Sequence, residues 1–176
     1  MEFTPAINII LGILTIVSQI TIALLIVLLI FKKDKLDSLL KKYALPLSFA
    51  IVLAATAGSL FYSEIAGYEP CKLCWLQRIF IYPQTILLGI AIWKKDYEIA
   101  LYSLALSVIG AIIAGYHYLL QIGIAPELPC SAVGYSVSCS QRFVMQFGYI
   151  TIPMMAFSAF VLIALLMALR IKRVND

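Results

Sequence analysis

Two cysteines three apart open the stretch "GYEPCKLCWLQRIFIYPQ", Gly67 to Gln84, and an arginine follows four residues after the second. Thiolate is the form of cysteine that attacks a disulfide or gives up electrons, and a nearby guanidinium favours it. A helix starting near Trp75 would put Cys74 and Arg78 on one face, at i and i+4. The charge would then sit about 6 Å below the sulfur, and the helix N-terminus would add the same bias. Arginine near the end of a membrane span is also a common snorkelling anchor. The cysteine above it and Gln77 beside it favour chemistry, because an ionisable group inside a span is a functional candidate by default.

A second pair, Cys130 and Cys139, lies further on with eight residues between. Four cysteines allow three pairings, of which the local ones are simplest. A Cys-x-x-Cys disulfide closes so small a loop that it removes little chain entropy. Redox exchange therefore explains Cys71 and Cys74 better than a structural staple does. C-x2-C is also a zinc half-site, but C-x8-C is an unusual other half, and no metal is expected. The single histidine, His117 in "AGYHYLLQ", falls at the depth of Arg78. Alone it reads as a packing residue. Together with Arg78 it could stabilise a carbonyl oxygen that becomes negative as electrons arrive, which suggests a pocket for a flat, lipid-soluble electron acceptor. Asp and Glu are too scattered for a proton relay.

The elements that must hold these residues are membrane spans. Hydrophobic residues make up 63% of 176 and charged residues 12%, with a mean hydropathy of +1.01. Soluble domains carry about 45–50% apolar and about 25% charged residues, so this is an integral membrane protein without room for a separate soluble domain. Segments of about 20 apolar residues suffice to cross the bilayer. Five occur, approximately Ala6–Phe31, Tyr43–Tyr62, Trp75–Trp93, Ile99–Leu120 and Gly148–Leu169. All are expected to be helices, since the backbone must satisfy itself internally and no barrel-type alternation is present. Pro83 and Pro153 are expected to kink their spans, and Arg142, Phe143, Val144 and Phe147 to form a short amphipathic segment on the outer surface.

Ten of the thirteen Lys and Arg fall on one side, in "FKKDKLDSLLKK", "KKD" and the C-terminal tail. The positive-inside rule puts that side in the cytoplasm, giving an N-out, C-in chain. The net charge of +4 is explained by this placement and implies no nucleic acid. All four cysteines then lie outside, where disulfides persist. The first span reads as an uncleaved helix rather than a signal peptide, because no basic residue precedes its long apolar run.

"CKLCWLQRIFIYP", the "PC" and "C" of the second outside loop and "FGYITIP" opening the last span resemble the DsbB/BdbC family of membrane thiol–quinone oxidoreductases. The resemblance covers roughly Tyr43 to Leu169. It implies an all-α fold: a four-helix transmembrane core at 43–170, an extra N-terminal helix with a basic cytoplasmic loop at 1–42, and a tail at 171–176. It also implies a bacterial cytoplasmic-membrane enzyme that reoxidises a soluble, DsbA-like, thioredoxin-like thiol oxidase and passes two electrons to ubiquinone or menaquinone. Carried over residue by residue, Cys130 would meet the partner and pair with Cys139, Cys71 would link the two pairs, and Cys74 would contact the quinone. Arg78 and Gln77 would lie beside it, with His117 the quinone-side histidine. The short Cys130–Cys139 spacing is closer to the BdbC branch. The first span lies outside the family's core; it could be a packing helix, a wall of the quinone site or an oligomer contact.

Two other readings remain open. A vitamin-K-epoxide-reductase-like thiol oxidase shares the chemistry but carries its Cys-x-x-Cys late in its core. A scaffold or transporter with structural disulfides would keep its thiols oxidised whether or not an acceptor is present. The orientation is testable. After reduction, a membrane-impermeant thiol reagent applied to intact cells should label the second cysteine pair; labelling only in broken membranes would reverse the topology.

Overall fold

The computed structural model describes residues 4–31, 34–96, 98–126 and 137–172. Five helices account for most of them: α1 Thr4–Phe31, α2 Asp34–Leu60, α3 Lys72–Lys94, α4 Ile99–Gln121 and α5 Ile152–Lys172. All five are long and apolar enough to cross a membrane, and no strand occurs among the described residues. The protein is thus an all-helical, multi-pass membrane protein, as its composition requires. Helices α2 to α5 close into a ring in which α2 and α4 each touch both α3 and α5, and α1 packs from outside, chiefly against α5.

Lipid is as apolar as leucine, so close packing and interhelical hydrogen bonds must hold such a bundle. Gln84 of α3, fully buried, accepts from Ser103 at 2.6 Å and Ser107 at 3.2 Å, both on α4. Its amide nitrogen donates to the Phe80 carbonyl of its own helix. Thr56 of α2 meets Thr85 of α3 at 3.0 Å. Between α4 and α5 the device is steric: the buried Phe160 ring lies against the bare backbone of Gly110, and Phe157 against Gly115.

The spans differ from their sequence expectation at three places. Helix α2 starts at Asp34, well before Tyr43, because "DKLDSLLKK" consists of residues a helix tolerates in the interface. At its other end the helix widens into a π-turn, Phe61–Ile65. Helix α5 starts at Ile152 rather than Gly148, because Phe147 and Gly148 both adopt left-handed backbone inside a tight turn closed by Gln146 and Ile150. Pro153 consequently lies in the first turn of α5, where a missing N–H costs no helical bond, rather than in the interior of the span. Pro83 does lie within α3.

A Cβ placed on Gly110 would come within 2.3 Å of the Phe160 ring. Gly110→Ala should therefore cost about 1–3 kcal/mol by overpacking and lower the thermal midpoint in detergent. Phe160→Leu in the same protein should recover part of the loss. An unshifted midpoint in the single variant would refute the close approach.

Candidate active site

The site forms where the N-terminus of α3 meets the C-terminal ends of α2 and α4. Cys71 follows Pro70 in an extended conformation and is the N-cap of α3. Its Sγ accepts the Cys74 backbone N–H at 3.4 Å, satisfying one of the amides that every helix leaves without a partner at its start. The same sulfur lies 3.1 Å from Cys74 Sγ and donates to it. That donation, and after it burial, push the Cys71 thiol up to about 12, while contact with His117 works weakly the other way. Cys71 is buried and Cys74 half-buried.

His117 stands on α4 across from the pair. Gln77 of α3 donates its amide N–H to His117 Nδ1 at 2.9 Å, so the ring proton is on Nε2. That N–H reaches the Cys139 carbonyl at 3.0 Å and lies 3.6 Å from Cys71 Sγ. Both Gln77 and His117 are buried. Cys139 is buried as well, in one apolar cluster with Cys71, Leu73 and Leu120 and with Cys74 packed against it. The two cysteine segments, far apart in sequence, thus share one small core. A thiol reagent meets Cys139 only when this cluster opens. Cys130 lies outside the described residues.

Arg78 is also buried but points the other way. Its Nε donates to Ser59 Oγ and one terminal nitrogen to the Ser59 carbonyl, both at 3.0 Å. Tyr82 donates to the same hydroxyl. The guanidinium lies 5.0 Å from the Trp75 ring centroid, within cation–π range. Among the described residues no carboxylate neutralises it, and it is within electrostatic range of Cys74.

Cys74, Gln77 and Arg78 line one end of a cavity of about 430 Å³ bounded by α1, α2, α3 and α5. His117 is not in its lining; it stands behind the dithiol and braces it. A cavity of this size, mostly apolar with a few convergent polar groups, is the usual form of a small-molecule site. A larger groove of about 720 Å³ between α4 and α5 carries none of the cysteines. Cys71, Cys74 and His117 also place three possible metal donors within 4.8 Å of one another. Both ring nitrogens of His117 are already engaged, which weighs against a resident ion.

Three contributors were not expected from the sequence. Ser59, at the last turn before the π-turn, holds Arg78. Gln121, one turn beyond His117, donates to the Gln141 carbonyl at 2.9 Å. Arg142 donates to the Gln121 carbonyl at 2.8 Å through Nε. The segment after Cys139 is therefore strapped to α4 rather than lying as an amphipathic piece on the surface: Val144 is buried and Phe143 stacks on Tyr68 at 5.0 Å. The i, i+4 spacing of His117 and Gln121 was a readable signal for Gln121. Nothing in the sequence marks Ser59.

A polytopic helical bundle with a dithiol at one end of its core is built as a membrane disulfide oxidoreductase. The chain belongs to the DsbB family: the model described as "Disulfide bond formation protein DsbB" matches residues 41–170. Among similar proteins, "Probable disulfide formation protein C 1" of Bacillus anthracis is 46% identical over 132 residues, 75% of this chain and 94% of the relative. "Disulfide bond formation protein C" of Bacillus subtilis is 43% identical over 124 residues, 69% of this chain and 88% of the relative. "Probable disulfide formation protein" of Metapseudomonas resinovorans is 40% identical over 129 residues, 72% and 88% of the two chains. No solved structure matched. Family membership gives the protein a role in disulfide bond formation.

With Cys71 held near pKa 12, its thiolate fraction is small at neutral pH and grows about tenfold per pH unit. In reduced protein its alkylation, followed by peptide mass spectrometry, should still be climbing at pH 10. Cys74→Ala removes the main cause and should speed Cys71 alkylation at pH 8 by about tenfold or more. A plateau below pH 9 in the unsubstituted protein would refute the assignment.

Proposed function

We propose that the protein reoxidises a soluble, thioredoxin-like thiol oxidase outside the bacterial cytoplasmic membrane and passes the electrons to a membrane quinone. The observation that carries this reading is the Cys71–Cys74 pair, 3.1 Å apart, at the polar end of an apolar cavity that also holds the Arg78 guanidinium. The donor set fits a quinone: a fixed cation and a side-chain amide at one end, apolar walls beyond. Cys74, Gln77 and Arg78 would hold the headgroup. A quinone bound there supplies a two-electron, two-proton acceptor, which returns Cys71 and Cys74 to their disulfide.

The remaining steps are thiol–disulfide exchanges. A thiolate of the reduced partner attacks Cys130 of the Cys130–Cys139 disulfide, releasing Cys139 as a thiolate. The partner's second thiol then resolves the mixed disulfide, so the partner leaves oxidised and both second-loop cysteines are left reduced. Cys139 next attacks Cys71 of the Cys71–Cys74 disulfide and releases Cys74. Cys130 resolves the Cys71–Cys139 link, which leaves Cys71 and Cys74 carrying the electron pair. The shared cluster of Cys71 and Cys139 supports this order, and the His117 bond to the Cys139 carbonyl holds the attacking segment over its target. Arg78, with no carboxylate partner among the described residues, would stabilise the negative charge that gathers on Cys74.

Two variants separate the halves of the relay. Cys130→Ser should abolish partner oxidation and leave quinone reduction by a small dithiol. Arg78→Met should do the reverse: loss of one charge-assisted contact costs about 1.5–3 kcal/mol, or roughly 10- to 150-fold in quinone turnover. Mixed-disulfide formation with the partner should stay near its unsubstituted rate, and Arg78→Lys should fall between, because lysine keeps the charge without the planar fork. Unchanged quinone turnover in Arg78→Met would return the residue to the role of an interface anchor.

A further inference from the structure

Helix α1 has no counterpart in the part of the chain that matches the family, which begins at residue 41. Relatives matched over 94% of their own length leave a quarter of this chain unmatched. Yet α1 is not a loose anchor. Asn8 accepts from Tyr62 at 3.0 Å. Gln19 donates to Ser158 at 3.2 Å and accepts from Tyr149 at 2.8 Å, and Ser18 donates to the Ser158 carbonyl. Gly12 admits the Phe147 ring. These ties join α1 to the π-turn, to the turn before α5 and to α5 itself, fixing both its height and its rotation.

So placed, α1 forms a wall of the cavity that starts at Cys74 and Arg78, through Leu11, Leu14, Thr15, Val17, Ser18 and Thr21. The hydroxyls in this wall are already spent on backbone carbonyls: Thr15 on Leu11, Thr21 on Val17, Ser18 on Ser158. They offer the cavity no free polar hydrogen. The facing wall mixes small residues, Ala50, Ala54, Ala55 and Gly58 on α2 and Ala156 and Ala159 on α5, with larger apolar ones such as Ile51 and Met155. From Ser59, beside Arg78, to Leu47, the lining of α2 covers about 18 Å at 1.5 Å per residue. The cavity is therefore long, with its charged and amide groups at the dithiol end and, along its depth, apolar walls broken only by hydroxyls already bonded to backbone carbonyls.

We propose that α1 encloses a channel for the isoprenoid tail of the acceptor, so that the tail runs inside protein between α1, α2 and α5 instead of in bulk lipid. This rests on the quinone reading above. The occupant follows from the polarity gradient: a redox headgroup belongs beside the thiols and guanidinium, and an uncharged branched chain beyond it. A phospholipid acyl chain shares the apolar chemistry but would bring its phosphate to the same end.

The test uses the full-length protein and a quinone with a photoreactive diazirine at the end of its tail. Illumination should label the α1 peptide spanning residues 11–21, as read by mass spectrometry, and excess unlabelled tailed quinone should suppress it. Binding is read separately by quenching of Trp75, in a Trp93→Phe background that leaves it as the remaining tryptophan. In Thr15→Phe the affinity ratio of tailed to tail-less quinone should fall about tenfold or more, the scale of a misfit of a methylene or two in an apolar pocket. Thr21→Phe, about 9 Å deeper, should spare short tails and penalise only longer ones. Labels landing on lipid-facing α4, equal loss for tailed and tail-less quinone, or an acyl-chain diazirine lipid labelling the buried Thr15 despite excess quinone would each overturn the channel. Failure of tail-less quinone to accept electrons from Cys71 and Cys74 in the unsubstituted protein would instead overturn the quinone reading.

Discussion

The start of α3 is the constraint from which the rest of the site follows. A helix opening at the edge of a bilayer must satisfy its first amides there, and this one uses the thiol of Cys71 to do so. A cap has no freedom of position: its sulfur is fixed relative to the first turn, and Cys74 and Arg78 come in the next residues on the same turn or the following one. One thiol thus serves as structural cap and as half of a closely spaced thiol pair. Any change at this sulfur acts directly on the helix that carries Cys74, Gln77 and Arg78.

Around that helix end the protein separates two kinds of contact. On the α4 side, Gln77, His117 and the Cys139 carbonyl form a dry hydrogen-bonded line that joins one cysteine segment to the other. On the α2 side, Ser59 and the aromatic rings hold a cation at the head of an apolar cavity. The dithiol stands between them. On the proposed function, exchange with protein thiols and exchange with a lipid-soluble acceptor would take place on opposite sides of the same pair.

Much of this was legible in the sequence. Hydropathy located all five helices, because span length is dictated by bilayer thickness rather than by tertiary detail. The i, i+4 relation of Cys74 and Arg78 was sound in register, although the helix begins at Lys72 and the guanidinium turns toward Ser59. The opening of α5 was misplaced because a left-handed Phe147 has no signature in composition. The shared depth of His117 and Arg78 invited a common pocket. Depth does not specify azimuth, and the two side chains project to different sides of α3. Ser59 and the Arg142 end of the strap depend on the π-turn and on loop closure, which local patterns do not encode, whereas Gln121 shares a helix face with His117.

Gln84 lies about two helical turns below Gln77 on α3, and its buried amide is matched by the two hydroxyls of Ser103 and Ser107 on α4. Sliding α3 along α4 by a single turn would strand the amide oxygen in hydrocarbon without its two donors, a cost on the order of several kcal/mol. The knot therefore acts as an indexing pin. It sits about 15 Å along α3 from Cys74, yet it sets the vertical alignment at which Gln77 faces His117, and through that the height at which one cysteine segment rests on the other.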